Sequence, residues 1–97
     1  MIYKLTLDAE KDLAEIYCYS YTQFGMSQAD AYFDALEKHF TAMTRHPDMG
    51  TDFSSIRPNA RRSLCQSHAV YYCKKEQHIL ILRVLHQSRD PGRWLNL

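Results

Sequence analysis

A two-layer α+β fold in the order β-α-α-β-β-β, closed by a short helical tail, is expected from three features of the 97 residues. Two early stretches repeat apolar side chains at helical spacing, each giving one stripe. The second half holds two apolar runs of strand length separated by a three-residue polar turn. Those runs are the only large apolar surface left for the stripes to cover, so a helical pair should lie on one face of a small, mainly antiparallel sheet.

Residues 2–7 alternate weakly and read as a short first strand. Thr6 is placed to cap a helix, with Asp8 in the first turn where the macrodipole favours a carboxylate. Ala9, Leu13, Ile16, Tyr17, Ser20 and Phe24 form the first stripe, with Asp12, Glu15 and Gln23 off it. Gly25 stops the helix. Ser27-Gln28-Ala29-Asp30 has the form of a capping box with Asp in place of Glu. Ala29, Tyr32, Phe33, Leu36, Phe40 and Met43 make the second stripe, and Pro47 ends that helix near Arg45-His46. The two helices should form an antiparallel hairpin.

Residues 47–60 are a long connection that Phe53 and Ile56 pin to the core. Arg61–Gln66 is strand-like but polar and suits a sheet edge. His68–Lys74 is a clearer strand, and Lys75-Glu76-Gln77 turns the chain into His78–His86. That last run is apolar at both parities, with Ile79, Ile81 and Leu85 on one side and Leu80, Leu82 and Val84 on the other. It should therefore be central and covered on both faces. Asp90 and Pro91 suit the start of a final helical turn carrying Trp94.

The length allows one domain, residues 1–97. No window approaches the apolar length of a membrane span, and the N-terminus lacks the parts of a signal peptide. Cys18, Cys65 and Cys73 have neither metal-type nor disulfide-framework spacing, which fits free thiols in a reducing cytoplasm; no metal or cofactor is expected. The net charge of +1 conceals a split: residues 1–56 hold four Lys/Arg and nine Asp/Glu, a balance of −5, and residues 57–97 hold eight and two, a balance of +6. A basic face attracts nucleic acid or an acidic protein, although clustered solvated charge gives the same count.

Arg83 is the one charge in the central run. A covered guanidinium must be paired, so a link to Asp90 or to a helical carboxylate competes with a role in binding phosphate or a partner. His68 and His86 fall at strand ends, where either could move a proton or simply hydrogen-bond the backbone. His39, His46 and His78 lack ligand spacing and are expected in solvent. Arg61, Arg62, Arg89 and Arg93, with Trp94, read as a working surface, since Arg and Trp are common interface anchors; Trp94 as a latch for the tail is the competing reading. Finally, two helices cover only one face of a three- or four-stranded sheet. The other face, from one parity of residues 69–73 and 79–85, should be bare and need another chain.

Ala9-x-x-Asp12-Leu13-x-x-Ile16, Phe24-Gly25, His46-Pro47-x-x-Gly50 and Ile56-Arg57-Pro58-x-x-Arg61-Arg62 stand in that order. They are followed by His68-x-Val70-Tyr71-Tyr72 and Ile81-Leu82-Arg83-Val84-Leu85-His86-x-x-x-Asp90-Pro91. Together they resemble the ParE branch of the RelE/ParE type II toxin superfamily over nearly the whole chain. The resemblance implies a toxin that poisons DNA gyrase and is neutralised by a ParD-like antitoxin in a hetero-oligomer, touching operator DNA only through that antitoxin. Val70, Tyr72, Ile81 and Leu85 are then the candidate antitoxin contacts, and Arg61, Arg62, Arg89, Arg93 and Trp94 the candidate target contacts. The superfamily's other branch cleaves mRNA on the ribosome with Lys and Arg on the sheet and often a C-terminal Tyr. Here the third-strand position carries His68, and no Tyr follows Tyr72, so nuclease activity would fall to His68, His86 and Arg83. A degenerate copy serving only as antitoxin ligand and co-repressor is the remaining alternative.

Overall fold

The computed structural model describes residues 1–95. The elements are β1 (Ile2–Leu5), α1 (Leu7–Phe24), α2 (Met26–Arg45), β2 (Thr51–Asp52), β3 (Ala60–Cys65), β4 (His68–Lys74), β5 (His78–His86) and α3 (Pro91–Trp94). The strands form one sheet in the order β1-β5-β4-β3-β2. β1 lies parallel to β5 and every other pair is antiparallel. The expected two-layer α+β class holds, with a fifth strand: Thr51 and Asp52 within the long connection pair with Arg62 and Arg61. β3 is therefore shielded at one end and forms the edge only beyond it.

Thr6 caps α1 as its position suggests, its hydroxyl oxygen accepting Ala9 N–H at 3.0 Å and its proton going to Leu82 O at 2.7 Å. Gly25, at φ +91, closes α1 and opens α2 in a single residue, a conformation that only glycine adopts without strain. The capping box at Ser27 does not form, because α2 already begins at Met26. Asp30 instead accepts the Tyr17 hydroxyl at 2.6 Å and ties the two helices together.

Beneath the hairpin lies one core, in which Leu13, Leu36, Phe40 and Met43 meet Val70, Tyr72, Ile79, Ile81 and Val84. A second core occupies the opposite face, with Tyr71, Cys73, Leu82 and Leu85 under Phe53, Ile56 and Leu95. The bare face expected from the sequence is thus covered by the chain's own connection and tail, which supply the missing apolar side chains. A β-bulge explains the mistaken parity of β5: Tyr71 faces Arg83 and Tyr72 faces Ile81, leaving Leu82 without an opposite residue. After the extra residue the faces exchange, so Val84, not Leu85, joins Ile79 and Ile81 under the helices.

The connection after α2 is fixed by a single hydroxyl. Tyr72 Oη donates to Pro47 O at 2.9 Å and accepts Gly50 N–H at 3.0 Å. Gly50 is required there, since a Cβ would stand 2.7 Å from Tyr72 Oη and 2.9 Å from Arg62 O. Tyr72→Phe should cost about 1–3 kcal/mol by stranding a buried N–H and its carbonyl neighbour, read as a lowered urea midpoint at unchanged m.

Candidate binding groove and arginine tail

Beyond the end of β1, the edge of β5 is completed by Thr6 and Asp12 rather than by a strand. β1 stops pairing at Leu5, opposite Ile81. Thr6 N–H then reaches Ile81 O at 3.0 Å, and Asp12 Oδ2 accepts Val84 N–H at 3.0 Å. The same carboxylate holds Arg83 through two bonds of 2.8 Å, from Nε and from Nη2. Both side chains are largely buried, at 17% and 9% exposure. Arg83 Nη1 spends its remaining reach on Trp94 O at 2.9 Å. The central guanidinium is therefore paired, by Asp12 and not by Asp90, which caps α3 through Gly92 N–H. Asp12 belongs to the interior, contrary to its off-stripe reading; three residues after Ala9 and four before Ile16, it sits at the stripe's border.

Beside this pair a groove of about 710 Å³ runs between α1 and the ends of β4 and β5. Its apolar wall comes from Ile16, Tyr19 and Phe24, its floor from Val84 and Leu85, and its polar end from Tyr32, His68, His86 and Arg89. Tyr19 and Phe24 stand 65% and 59% exposed. His68 and His86 are cross-strand partners with ring centroids 5.6 Å apart. Tyr32 Oη accepts Ser67 N–H at 3.2 Å and meets His68 Nδ1. Burial holds His68 below the ordinary histidine range, the neighbouring His86 adds to this, and Asp12 opposes it. His86 Nδ1 contacts the Ser88 hydroxyl at 2.8 Å and accepts Ser88 N–H at 3.2 Å.

The five proposed target contacts do not form one surface. Arg61 Nη1 donates to Gly50 O at 2.6 Å and serves the connection. Arg62, pointing the other way, lies 5.8 Å and 5.9 Å above the rings of Phe53 and Tyr71. Arg89, Arg93 and Trp94 do gather at the tail, with the Arg89 guanidinium 4.5 Å from the Trp94 ring. The four proposed antitoxin contacts need correction more sharply. Val70, Tyr72 and Ile81 are fully buried under the hairpin, which leaves them nothing to offer a partner, and Leu85, 3% exposed, keeps only its edge on the floor of the groove. His39 is half-buried and bound to Ser63 Oγ at 2.7 Å, not in solvent, and burial lowers its pKa. Helical spacing marks Tyr19, Phe24 and Tyr32 only as stripe or solvent and gives no sign that they line a groove.

Among the described residues no three His, Cys, Asp or Glu side chains are grouped to hold a metal. No described helix is long and apolar enough to cross a membrane. What the fold and groove define is a small α+β domain with an open apolar trough. In fold it is similar to a chain of the structure titled "Chromosomal ParDE TA system from P. aeruginosa", with TM-score 0.77, 22% identity, and coverage of 89% of this chain and 95% of that one. The sequence is 36% identical over 88 residues to Toxin ParE1 of Caulobacter vibrioides, covering 91% of each chain. It is 33% identical over 92 residues to Toxin ParE1 of Mycobacterium tuberculosis, covering 94% of each. Residues 3–91 match the family described as ParE toxin of type II toxin-antitoxin system, parDE. The chain belongs to the ParE toxin family, the toxin side of a ParDE type II toxin–antitoxin system.

Proposed function

We propose that this toxin is not an enzyme, acts in the cytoplasm by binding DNA gyrase and trapping it on broken DNA, and is silenced by a ParD-like antitoxin. The antitoxin lays an amphipathic segment along the groove, against Tyr19, Phe24 and Ile16, and carries the complex to operator DNA. Arg93 and Trp94 of the tail meet the gyrase. The observation that supports this reading over RNA cleavage is the state of Arg83. Its guanidinium is spent on Asp12 and on Trp94 O. That leaves Arg89 as the cation of the groove, where phosphoryl chemistry needs several groups aimed at the scissile phosphate.

A ribosome-dependent endoribonuclease is the second reading, favoured by His68 and His86 facing one groove with Arg89. Purified toxin added to gyrase and supercoiled plasmid should accumulate linear DNA, with mRNA on ribosomes left intact. Cleaved mRNA that is spared by His68→Ala or His86→Ala substitution would reverse the assignment. If neither assay responds, the chain is a degenerate toxin retained as antitoxin ligand and co-repressor.

A further inference from the structure

We propose that the polar end of the groove is a receptor for one carboxylate, supplied by an Asp or Glu side chain of the amphipathic segment that fills the groove. This rests on the groove being the antitoxin's seat, and it adds the chemistry that sets that segment's register.

The hydrogen bonds around the two rings engage Nδ1 of each and leave Nε2 free. Ser88 N–H donates to His86 Nδ1 at 3.2 Å. Tyr32 Oη, already accepting Ser67 N–H, has its own proton free for His68 Nδ1. A neutral imidazole that accepts at Nδ1 carries its hydrogen on Nε2. Both histidines thus offer an N–H donor without needing to be charged. Neither Nε2 has a hydrogen-bond partner among the described residues, where the buried side-chain nitrogen lacking one is Arg62 Nε. His86 is exposed and His68 half-buried where both line the groove, which leaves the two donors accessible from it. Arg89, exposed at the same end, adds a guanidinium suited to a planar carboxylate.

The surrounding charges select a single carboxylate over a polyanion. Facing the rings from α1 are Asp12 and Glu15, from α2 the phenol of Tyr32, and from the turn after β5 Arg89. Asp12 is saturated by Arg83 and Val84 N–H. Glu15 is exposed and repels any further negative charge along the wall. An RNA strand would bring one phosphate to the receptor and others against Glu15. An amphipathic helix brings one carboxylate, and its apolar face meets Ile16, Tyr19 and Phe24.

Acetate is the minimal probe. In the intact chain, followed by the ring-proton NMR signals of the histidines at constant ionic strength, millimolar acetate should shift His68 and His86 saturably. Affinity should rise as pH falls through the lowered range of His68, because a ring gaining positive charge holds a carboxylate better. Arg89→Gln or His86→Gln, both at exposed positions, should weaken acetate at least about threefold with thermal unfolding unchanged. Trp94 fluorescence supplies an independent signal, since a ligand that engages Arg89 draws it off the indole. Shifts that fail to saturate, or that persist in both variants, overturn the receptor. Tighter binding of inorganic phosphate or a short single-stranded RNA than of acetate assigns the groove to nucleic acid instead. With the cognate antitoxin, single Asp→Asn and Glu→Gln changes should reveal one carboxylate that costs at least about tenfold, and much less on the Arg89→Gln background. Antitoxin bound in the groove with no such coupling overturns the receptor and leaves the proposed function standing; antitoxin bound elsewhere overturns both.

Discussion

Asp12→Ala should cost the fold about 3–5 kcal/mol, the range for removing one partner of a buried ion pair. The change leaves the Arg83 guanidinium in a site where its side chain is 17% exposed, and it strips Val84 N–H of its acceptor. Asp90 is engaged at Gly92 N–H, and Asp8 and Glu15 act on the guanidinium through charge alone, without a hydrogen bond to it. The partner substitution separates charge from packing. Arg83→Met in the Asp12→Ala background removes the stranded cation and should recover part of the loss, so the double variant should be more stable than Asp12→Ala alone. Chemical denaturation with a double-mutant cycle reads the coupling directly. A loss below about 1 kcal/mol would place the pair with ordinary surface ion pairs, and the closure of the β5 edge by Asp12 would then be wrong.

That pair also marks how far sequence reasoning reached. Arg83 was legible as a charge needing a partner because it interrupts an apolar run. Its partner was not, because Asp12 is 71 residues away along the chain and helical spacing alone puts it at a stripe's border. The same limit governs the two faces of β5. Strict alternation assigns Leu85 to one side, and a single extra residue at Leu82 moves it to the other; a bulge leaves no mark in composition. Phe53 and Ile56 anchor the long connection, as apolar residues in a polar stretch suggest. Their further consequence, a second core that also takes in Leu95, depends on where the connection and tail cross the sheet, which local pattern does not specify. Val70, Tyr72, Ile81 and Leu85 were apolar for the ordinary reason that they are interior. The groove, by contrast, is built from exposed aromatic residues and two strand-end histidines, a combination visible only once α1 and the ends of β4 and β5 are side by side.

Leu95→Ala should release the tail before the rest of the chain unfolds. The Leu95 side chain, 2% exposed, closes the second core against Tyr71, Leu82 and Leu85. Truncating a buried leucine costs about 2–5 kcal/mol. The tail has a cheaper response than global unfolding, because what remains to hold it is two guanidinium hydrogen bonds and the Arg89 guanidinium over the Trp94 ring. Arg57 Nη1 reaches Leu95 O at 3.3 Å and Arg83 Nη1 reaches Trp94 O at 2.9 Å. Bonds with a charged donor contribute about 1.5–3 kcal/mol each, the longer one toward the lower end. Opening therefore becomes competitive in the variant, and local and global transitions should part. Trp94 is the only tryptophan, so its emission should shift to the red at denaturant concentrations where far-UV circular dichroism is still native. Coincident transitions would mean that the tail is an integral part of the cooperative unit. The variant also bears on toxicity. If Arg93 and Trp94 engage gyrase from a docked tail, Leu95→Ala should lose inhibition to the same extent as Trp94→Ala, although residue 95 itself is buried. The hairpin-side wall of the groove, from Ile16 to Phe24, is untouched by the change, so antitoxin binding should persist. Undiminished gyrase inhibition by Leu95→Ala would show that the toxin presents these residues from an undocked strand, and that the fold serves only to store it.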